Sequence, residues 1–460
     1  MLVPRFRSRA KKACGAEAPH AGQGVTVAAA SPKASACHPT RSVHFLLIAP
    51  ERVAPEMAAA GIRTVELARS LARRHRVSVA APTGSSPPGN LERLEIYDPA
   101  NPASLHHLVT QADAVFAQPL APRLLAGPIR DRPWVVDLIN PQVFEGLEYH
   151  KGRRRLARKA LEVVRIDRIG WAARTGTAFA CGSERQRDMW LGFLAASRRL
   201  DTDIYADDPE MRSLIDLVPS GVPAEPPARP PEPVLRGPVF AADSRIVAWN
   251  GGLWDWLDPF TVLQALSLLR AEDKRWVLAF GGGRRPSHRP AMKTVDDVRA
   301  YVAELSLQDA VHLPDGWTPY SRRADVLLEA DVGVSAHRPS LESRFSYRNR
   351  LLDCIWAGTP IVCTEGDALA GDVTARGWGE TVPARDAKAL AAALHRVAGR
   401  GRAHYASALG AAARVHTWDA AGAQLEALLS SARELGPRGF EPAATGMRLR
   451  HELASRFGRA

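Results

Sequence analysis

The sequence lacks long apolar segments and is poor in cysteine and lysine. No run of 18 apolar residues occurs, so no membrane-spanning helix is expected. The five cysteines show no paired spacing, which argues against a disulfide framework and favours a reduced, cytoplasmic protein. Eight of the 61 basic residues are lysine, and this bias toward arginine extends over the whole chain, so it marks no particular site.

The formal net charge of +12 is concentrated in two segments. Residues 1–41 carry a net charge of +6 and residues 151–175 a net charge of +7, which leaves the rest of the chain close to neutral. A general surface for polyanions is therefore not indicated, and we expect no nucleic-acid partner.

The chain of 460 residues is long enough for two domains, each with its own core. Residues 223–238 are rich in proline and cannot form a regular helix, so they are predicted to link the domains. Residues 1–40 lack periodicity and are expected to form a disordered basic tail. The predicted domains then cover residues 41–222 and 239–417, followed by a long helix and a tail in residues 418–460.

The most informative stretch is residues 330–367, where two apolar runs flank a segment rich in acidic, arginine and small polar residues. Gly358 and Pro360 would end a helix, so the pattern predicts a strand, a polar loop, a helix and a second strand. The predicted bounds are a strand at Asp331–Ala336, a loop at His337–Phe345, a helix from the N-cap Ser346 to Ala357, and a strand from Ile361 to Thr364.

Charged side chains gather where this loop meets the helix. In an open α/β sheet, ligands bind beyond the carboxyl ends of the strands, where helix N-termini offer free N–H groups to anions. The sequence therefore indicates a ligand site here, with the candidate residues Glu342, Arg344, Arg348, Arg350 and, two turns into the helix, Asp353.

The segment from Asp353 to Val362 reads Asp-Cys-Ile-Trp-Ala-Gly-Thr-Pro-Ile-Val. It resembles the second half of the paired-glutamate motif in the family-four nucleotide-sugar glycosyltransferases, which have the two-domain GT-B fold. The resemblance implies an α/β fold of two Rossmann-like domains with the active site in the cleft between them. It also implies that Asp353, in place of the family's glutamate, binds the nucleotide ribose.

The first half of that motif is different in this chain. Phe345 stands at the position of the first glutamate and cannot accept a hydrogen bond from a sugar hydroxyl. The nearest earlier acid is Glu342, which an enlarged loop could return to the same place. Glu342 is therefore the candidate for the sugar-facing role.

Two further segments carry the resemblance in the first half of the chain. The run Thr177–Cys181, followed by Gly-Ser-Glu, matches the family's strand before its Ser-Glu pattern, and Leu217–Val222 resembles the segment that ends the first domain. The sequence predicts that Gly61 opens a helix over Ile62–Arg74. The resemblance implies that this domain binds the acceptor and that the loop before this helix approaches the acceptor and the donor phosphates, and a loop that only joins strand and helix is the alternative. Asp137, at the end of the predicted strand Trp134–Leu138, would face the donor sugar, and a structural turn is the alternative.

The turn Asn250-Gly251-Gly252 follows a predicted strand in the second domain, and glycine lets the backbone approach a ligand closely. Most relatives place an arginine and a lysine in this loop to hold the donor diphosphate, but Gly252 takes the arginine position here. Trp317 lies in the segment that usually meets the base, and core packing is the alternative for this side chain.

The cations for the diphosphate must then come from elsewhere, because an uncompensated buried charge costs roughly several kcal/mol. The candidates are Arg344, Arg348 and Arg350, with Arg348 ranked first because it lies in the first turn of the predicted helix. A structural salt bridge is the alternative for Arg348. Ser346 and Tyr347 precede it at the same helix terminus and complete the predicted donor site.

Residues Lys151–Ala173 form a basic amphipathic helix in the sequence pattern. Its basic face could contact the anionic inner face of a membrane or hold a polyprenyl-phosphate acceptor, and a solvated arginine face is the alternative. The resemblance also implies that the final helix crosses back to the first domain.

The resemblance implies a retaining glycosyltransferase that transfers a sugar from a nucleotide diphosphate sugar to a small-molecule, saccharide or lipid-linked acceptor. Asp201-Thr202-Asp203 matches the Asp-x-Asp motif of metal-dependent transferases, but it lies in a polar connecting segment. GT-B enzymes generally bind donors without such a metal site, so no metal and no cofactor beyond the donor is expected. The alternatives are a degenerate GT-B protein that binds a nucleotide or a partner without turnover and a nucleotide-sugar epimerase.

Overall fold

The computed structural model of the protein describes residues 43–89, 91, 93–285 and 292–437. The predicted tail of residues 1–40 lies outside the described residues, as does the predicted tail beyond residue 437. The described chain builds two parallel β-sheets with their helices, and both sheets belong to one compact structural unit. The first sheet and its helices are called the first half of the protein below, and the second sheet and its helices are called the second half.

The first sheet has seven parallel strands. They are β1 (His44–Ile48), β2 (Arg76–Pro82), β3 (Leu94–Tyr97), β4 (Ala114–Ala117), β5 (Trp134–Asp137), β6 (Ala178–Cys181) and β7 (Ile215–Leu217). Their order is β3-β2-β1-β4-β5-β6-β7. Strands β1, β4, β5 and β6 are buried along their whole length, which explains why their sequences are apolar runs without alternation.

The helices of this half follow the strands in the pattern of a doubly wound fold. They are α1 (Ala59–Ala72), α2 (Pro102–Thr110), α3 (Pro122–Leu125), α4 (Gln142–Tyr149), α5 (Arg155–Thr175), α6 (Glu184–Ala196) and α7 (Thr202–Asp207). Asp201 caps α7 by accepting hydrogen bonds from the N–H groups of Asp203 and Ile204, which gives this acid a structural role.

The second sheet has six parallel strands in the order β10-β9-β8-β11-β12-β13. These strands are β8 (Arg245–Trp249), β9 (Trp276–Phe280), β10 (Val311–His312), β11 (Val332–Ser335), β12 (Ile361–Thr364) and β13 (Gly379–Val382). The accompanying helices are α8 (Pro259–Glu272), α9 (Lys293–Glu304), α10 (Asp325–Glu329), α11 (Leu341–Phe345), α12 (Asn349–Ala357), α13 (Ala370–Ala375), α14 (Ala387–Arg400), α15 (Arg402–Val415) and α16 (Trp418–Leu435).

The order of strands reverses once in each sheet. Strand β1 pairs with β2 on one side and β4 on the other, and β8 pairs with β9 and β11 in the same way. Connections leave such a central strand in opposite directions, which opens a crevice at its carboxyl end. The loops after β8 and β11 therefore meet at the place where the sequence predicts a ligand site.

Helix α16 lies against α1 and strand β6 of the first half. The chain crosses between the halves twice, and the two crossings touch. The N–H of Val222 donates to the carbonyl of His416 at 2.8 Å, and the N–H of Trp418 donates to the carbonyl of Val222 at 3.0 Å. Gly221 lies at this contact, where a β-carbon would overlap the backbone of Thr417.

The predicted helix over Ser346–Ala357 is wrong in its first turn. Helix α12 begins only at Asn349. The predicted loop His337–Phe345 is also wrong in its second part, because helix α11 occupies Leu341–Phe345. Ser346 is not an N-cap, because its hydroxyl donates to the carbonyl and carboxylate of Glu342. The predicted end is confirmed, with Gly358 in the left-handed conformation at φ +62°.

Two other predicted helix starts are displaced. Helix α1 begins at Ala59, before Gly61, whose N–H donates to the carboxylate of Glu51 at 3.0 Å. Helix α5 begins at Arg155, four residues after the predicted start, because Lys151 lies in a turn that follows α4.

Close packing of α16 on α1 requires Gly422, since a β-carbon there would overlap the side chain of Ser70. We expect Gly422→Ala to lower the free energy of unfolding by about 1–3 kcal/mol. The matched control is Gly399→Ala in α14, where a β-carbon meets open space. This control should raise the free energy of unfolding by about 0.5–1 kcal/mol, since alanine favours the helix. Denaturant titration of both variants would contradict the packing argument if the two shifts had the same sign.

Candidate functional site

A cleft lies between the two halves at the carboxyl ends of β8 and β11. The first half contributes Met57, Ile62, Pro141 and Glu145 to its lining. Most of the residues predicted for the site also line it, namely Asn250, Gly251, Gly252, Trp317, Glu342, Ser346, Tyr347, Arg348, Arg350 and Asp353. The structure thus brings together residues that are more than 100 positions apart in the sequence.

Asp353 lies in the middle of α12 with its carboxylate at the cleft. One oxygen accepts a hydrogen bond from the side-chain amide of Asn250 at 2.8 Å. The other accepts from Nε of Arg323 at 3.0 Å. Burial raises the pKa of Asp353, and the positive charge of Arg323 acts in the opposite direction. Each carboxylate oxygen keeps a further lone pair for a ligand hydroxyl.

Arg348 and Glu342 form a buried ion pair, which is the alternative that the sequence left open for Arg348. The two Nη atoms of Arg348 donate to the two carboxylate oxygens of Glu342 at 2.9 and 2.7 Å. Ser346 donates to the same carboxylate at 2.5 Å. The pair lines the cleft, but the guanidinium edge that suits a phosphate is already used by Glu342.

Arg350 donates to a backbone carbonyl rather than to a carboxylate, and part of its guanidinium, like the Nε of Arg348, is buried without a partner. Its Nη2 donates to the carbonyl of Gly252 at 3.0 Å, and the guanidinium lies 4.9 Å from the ring centre of Trp249. Its Nη1 has no hydrogen-bond partner. Burial, followed by the charge of Arg348, lowers the pKa of Arg350 to about 9. An anion in the cleft would satisfy Nη1 and offset this cost of burial.

The N-terminus of α12 lies beside Arg350 and carries no side-chain cap. The first N–H groups of a helix have no partner within it, and they favour negative charge. The uncapped terminus and Nη1 of Arg350 together form an anion-binding corner of the cleft.

Aromatic side chains form the opposite part of the cleft wall. Trp254 and Trp256 stack with ring centres 5.6 Å apart and 7° between their planes, and Trp317 lies 6.3 Å from Trp254. A β-carbon at Gly252 would come within 2.8 Å of the Trp317 ring, so glycine is needed for this approach. The wall offers flat apolar surface on which a base can stack.

Glu145 on α4 was missed by the sequence reasoning. It lines the cleft from the first half, opposite the ion pair of Glu342 and Arg348. Burial raises the pKa of Glu145 to about 7, and the nearby charge of Glu342 adds to this effect. The sequence held no signal for this position, since one acid in a short helix marks nothing by itself.

Arg323 was missed as well, because it stands among several arginines in a polar connecting segment. Phe345, at the position where the resemblance places an acid, does not line the cleft. Its ring stacks on that of Phe144 in the first half, with centres 5.5 Å apart and 18° between the planes. The position therefore serves apolar contact between the halves rather than hydrogen bonding to a ligand.

Three predicted residues do not line the cleft. Asp137 is buried, and its two oxygens accept from Nε and Nη2 of Arg63 at 2.9 and 3.1 Å. Arg63 also donates to the backbone carbonyls of Val218 and Pro219. Arg344 is exposed beside the ring of Phe345, and Gly61 is buried in α1.

The chain matches no protein-family model and no curated protein sequence. Solved structures share its fold. HepE from Anabaena in complex with UDP and glucose has a TM-score of 0.63 at 14% identity, covering 85% of this chain and 100% of that chain. The catalytic domain of starch synthase IV from Arabidopsis thaliana, bound to ADP and acarbose, has a TM-score of 0.58 at 12% identity, covering 86% and 100%.

Sucrose-phosphate synthase from Thermosynechococcus elongatus has a TM-score of 0.54 at 17% identity, covering 84% of this chain and 98% of that chain. These likenesses agree with the two parallel sheets of the present chain. The predicted fold of two Rossmann-like domains in the GT-B arrangement is therefore confirmed.

Replacement of Glu145 by glutamine tests the electrostatics of the cleft. A carboxyl whose pKa is about 7 in the folded state and about 4.5 unfolded holds its proton longer when folded. Wild type therefore loses stability relative to Glu145→Gln as pH rises from about 5 to 7, by about 1–3 kcal/mol in total.

Denaturant unfolding at several pH values measures this difference. The control is Glu148→Gln on the same helix, where the carboxylate pairs with exposed Lys151. A constant difference between Glu145→Gln and wild type across the pH range would contradict the assigned burial of this charge.

Proposed function

We propose that the protein transfers a glycosyl group from a nucleotide diphosphate sugar to a hydroxyl group of an acceptor. The observation that carries this proposal is the anion-binding corner of Arg350 and the α12 terminus, which lies in the same cleft as the Asp353 carboxylate. This combination suits a ligand with a diphosphate and adjacent hydroxyl groups. Structures of similar fold that carry UDP with glucose, or ADP, support the proposal.

The donor is proposed to occupy the cleft in one direction. Asp353 accepts hydrogen bonds from the ribose hydroxyls, with Asn250 orienting its carboxylate. The base lies along the aromatic wall, where Trp317 offers its face. The diphosphate meets Arg350 and the backbone at Gly251 and the α12 terminus, which brings the sugar toward Glu342.

The roles of the other predicted residues follow from their contacts. We propose that Arg348 and Glu342 act as one unit that faces the sugar and the leaving diphosphate, with Ser346 holding the carboxylate. Asp137 is proposed to act only through the fold, since Arg63 uses both of its oxygens. Arg344 would contact the donor only after a change in its exposed side chain.

The proposed transfer retains the anomeric configuration, as the resemblance to family-four enzymes suggests. The bond from the anomeric carbon to the phosphate oxygen breaks, and the bond to the acceptor oxygen forms on the same face. The proton of the acceptor hydroxyl passes to the leaving phosphate oxygen. Catalysis then depends on positioning and on stabilisation of the leaving diphosphate, with no side-chain nucleophile.

One observation favours a second candidate function. Glu342 neutralises Arg348, so the cleft offers less free positive charge to a leaving diphosphate than the sequence indicates. A protein that binds a nucleotide without turnover would need only the remaining contacts. Analysis of products with and without acceptor separates this candidate, and also an epimerase, which would convert the donor alone.

The first test is thermal denaturation with UDP, GDP, ADP, dTDP and CDP. A ligand at about 100 times its dissociation constant adds roughly 2.7 kcal/mol of stability. We expect one diphosphate to raise the melting temperature of wild type but not of Asp353→Asn. The matched control Asp372→Asn changes an acid on α13 that pairs with Arg376 and does not itself line the cleft, and it should respond as wild type.

The contribution of Arg350 is measured by comparing two ligands in Arg350→Gln. Loss of a charge-assisted contact should weaken binding of the nucleoside diphosphate by about 1.5–3 kcal/mol and leave binding of the free nucleoside nearly unchanged. Equal losses of affinity for both ligands would show that Arg350 does not contact the phosphates. A panel in which no diphosphate stabilises folded wild type would remove the proposed function.

Peripheral membrane contact through α5 is a further part of the proposal. Leu156 and Val163 lie on one face of α5 with 78% and 43% of their surface exposed, and Arg154, Arg155 and Arg158 are exposed beside them. Within the described part of the chain, no helix is long and apolar enough to cross a bilayer. The free, buried thiols of Cys181, Cys354 and Cys363 support a reducing, cytoplasmic location.

Sedimentation with lipid vesicles tests this contact. We expect binding to vesicles with about 30% anionic lipid and none to neutral vesicles, because apolar burial and charge act together. Leu156→Ser should weaken binding about tenfold, whereas Leu268→Ser, at an exposed position on α8, should not. Equal binding by the two variants would favour the solvated arginine face.

A further inference from the structure

Arg323 is held between two aromatic rings at the edge of the cleft. Its guanidinium carbon lies 3.8 Å from the ring centre of Tyr320 and 4.1 Å from that of Trp356. Stacking on both faces of a planar guanidinium leaves it little freedom except within its own plane. The side chain is 11% exposed, so solvent contributes little to holding it.

Hydrogen bonds fix the orientation of the same guanidinium within its plane. Nε donates to Asp353 at 3.0 Å, and Nη1 donates to the backbone carbonyl of Tyr320 at 2.9 Å. Asn250 holds the second oxygen of Asp353. The orientation of the carboxylate is therefore determined by Arg323 and Asn250 before any ligand is present.

Both rings depend on contacts outside the second sheet. The N–H of Tyr320 donates to the carbonyl of Pro55 at 2.8 Å in the loop after β1, and its ring packs against the apolar cluster of Val53 and Met57. The indole N–H of Trp356 donates to the carbonyl of Glu225 at 2.7 Å, in the segment that connects the halves. The sandwich around Arg323 is complete because the first half and the connection touch its two sides.

We propose that Arg323 is a positioning residue that orients Asp353 toward the nucleotide and ties this orientation to the contact between the halves. The inference rests on the proposed function, since it assumes that Asp353 binds the nucleotide. It assigns a role to a residue outside the motif around Asp353. It also explains how an aspartate, one methylene shorter than glutamate, is held in place at this position.

The pH dependence of nucleotide affinity is a readout that a purely structural role of Arg323 would not change. Burial raises the pKa of Asp353, while Arg323 and, more weakly, Arg350 lower it. The charges of Tyr320 and Cys354 also interact with this carboxyl, and Glu66 on α1, whose pKa is raised by burial, interacts with Arg323 and Tyr320. A protonated Asp353 loses acceptor capacity, so nucleotide affinity should fall as pH decreases through its pKa. Without Arg323 this fall should begin at a higher pH.

The experiment measures dissociation constants for the nucleoside diphosphate that stabilises wild type, at about pH 6 and about pH 8. We expect the affinity of Arg323→Ala to begin falling at a higher pH than that of wild type, because its Asp353 holds a proton over more of the range. Arg323→Lys keeps the charge and should restore the pH dependence, with a several-fold weaker affinity at both values because the flat sandwich is lost.

The matched control is Arg322→Ala, one residue away, where the side chain is 62% exposed and pairs with Asp325. It should bind as wild type does. Tyr320→Leu keeps an apolar side chain against Val53 but removes one ring from the sandwich, so it should weaken affinity in the same direction as Arg323→Lys.

The outcomes separate the two proposals. Absence of nucleotide binding by folded wild type overturns the proposed function and this inference with it. Binding by wild type with the same affinity and pH dependence in Arg323→Ala overturns this inference alone. If Arg323→Ala fails to fold, Arg323→Lys decides, and wild-type affinity in that variant overturns the inference.

Discussion

The burial of charge is the constraint on which this cleft depends. Each arginine drawn into it must find a carboxylate, a carbonyl, an aromatic face or a ligand, because an isolated buried charge costs several kcal/mol, to order of magnitude. Arg348 meets Glu342, and Arg323 meets Asp353 between two rings. Arg350 meets a carbonyl and a tryptophan ring and keeps one N–H group unsatisfied. Arg348 keeps an unsatisfied Nε as well, so the difference between the two arginines is that Glu342 takes both Nη atoms of Arg348 and leaves Nη1 of Arg350 without a partner.

Much of the fold was predictable because parallel sheets bury their strands on both faces. Continuous apolar runs such as β1 and β12 are visible in the sequence, and the glycine at Gly358 marks the end of α12. The start of that helix was not predictable. Serine is a common N-cap residue, but the hydroxyl of Ser346 donates to Glu342 instead of accepting from a helix N–H group. Which of these two nearby partners a serine meets depends on the tertiary structure.

The candidate site was predictable in location and less so in detail. Strand ends in an open sheet meet at one edge, so the residues around Asp353 and Asn250 could be assigned to one cleft from the sequence. The pairing of Arg348 with Glu342 could be weighed only as an alternative, since spacing does not reveal which carboxylate an arginine will meet. Glu145 and Arg323 enter from segments without a motif, and only the packing of the two halves brings them to the cleft.

The two chain crossings lie side by side and exchange backbone hydrogen bonds at Val222. Two chain connections at distant points would restrain the halves against rotation relative to each other. Two adjacent connections still allow the halves to bend about one line, which passes through the connections. Ser220 and Gly221 belong both to this line and to the lining of the cleft. A β-carbon at Gly221 would overlap the backbone of Thr417 and Trp418, so the contact between the two crossings depends on the absence of one carbon atom at the edge of the cleft.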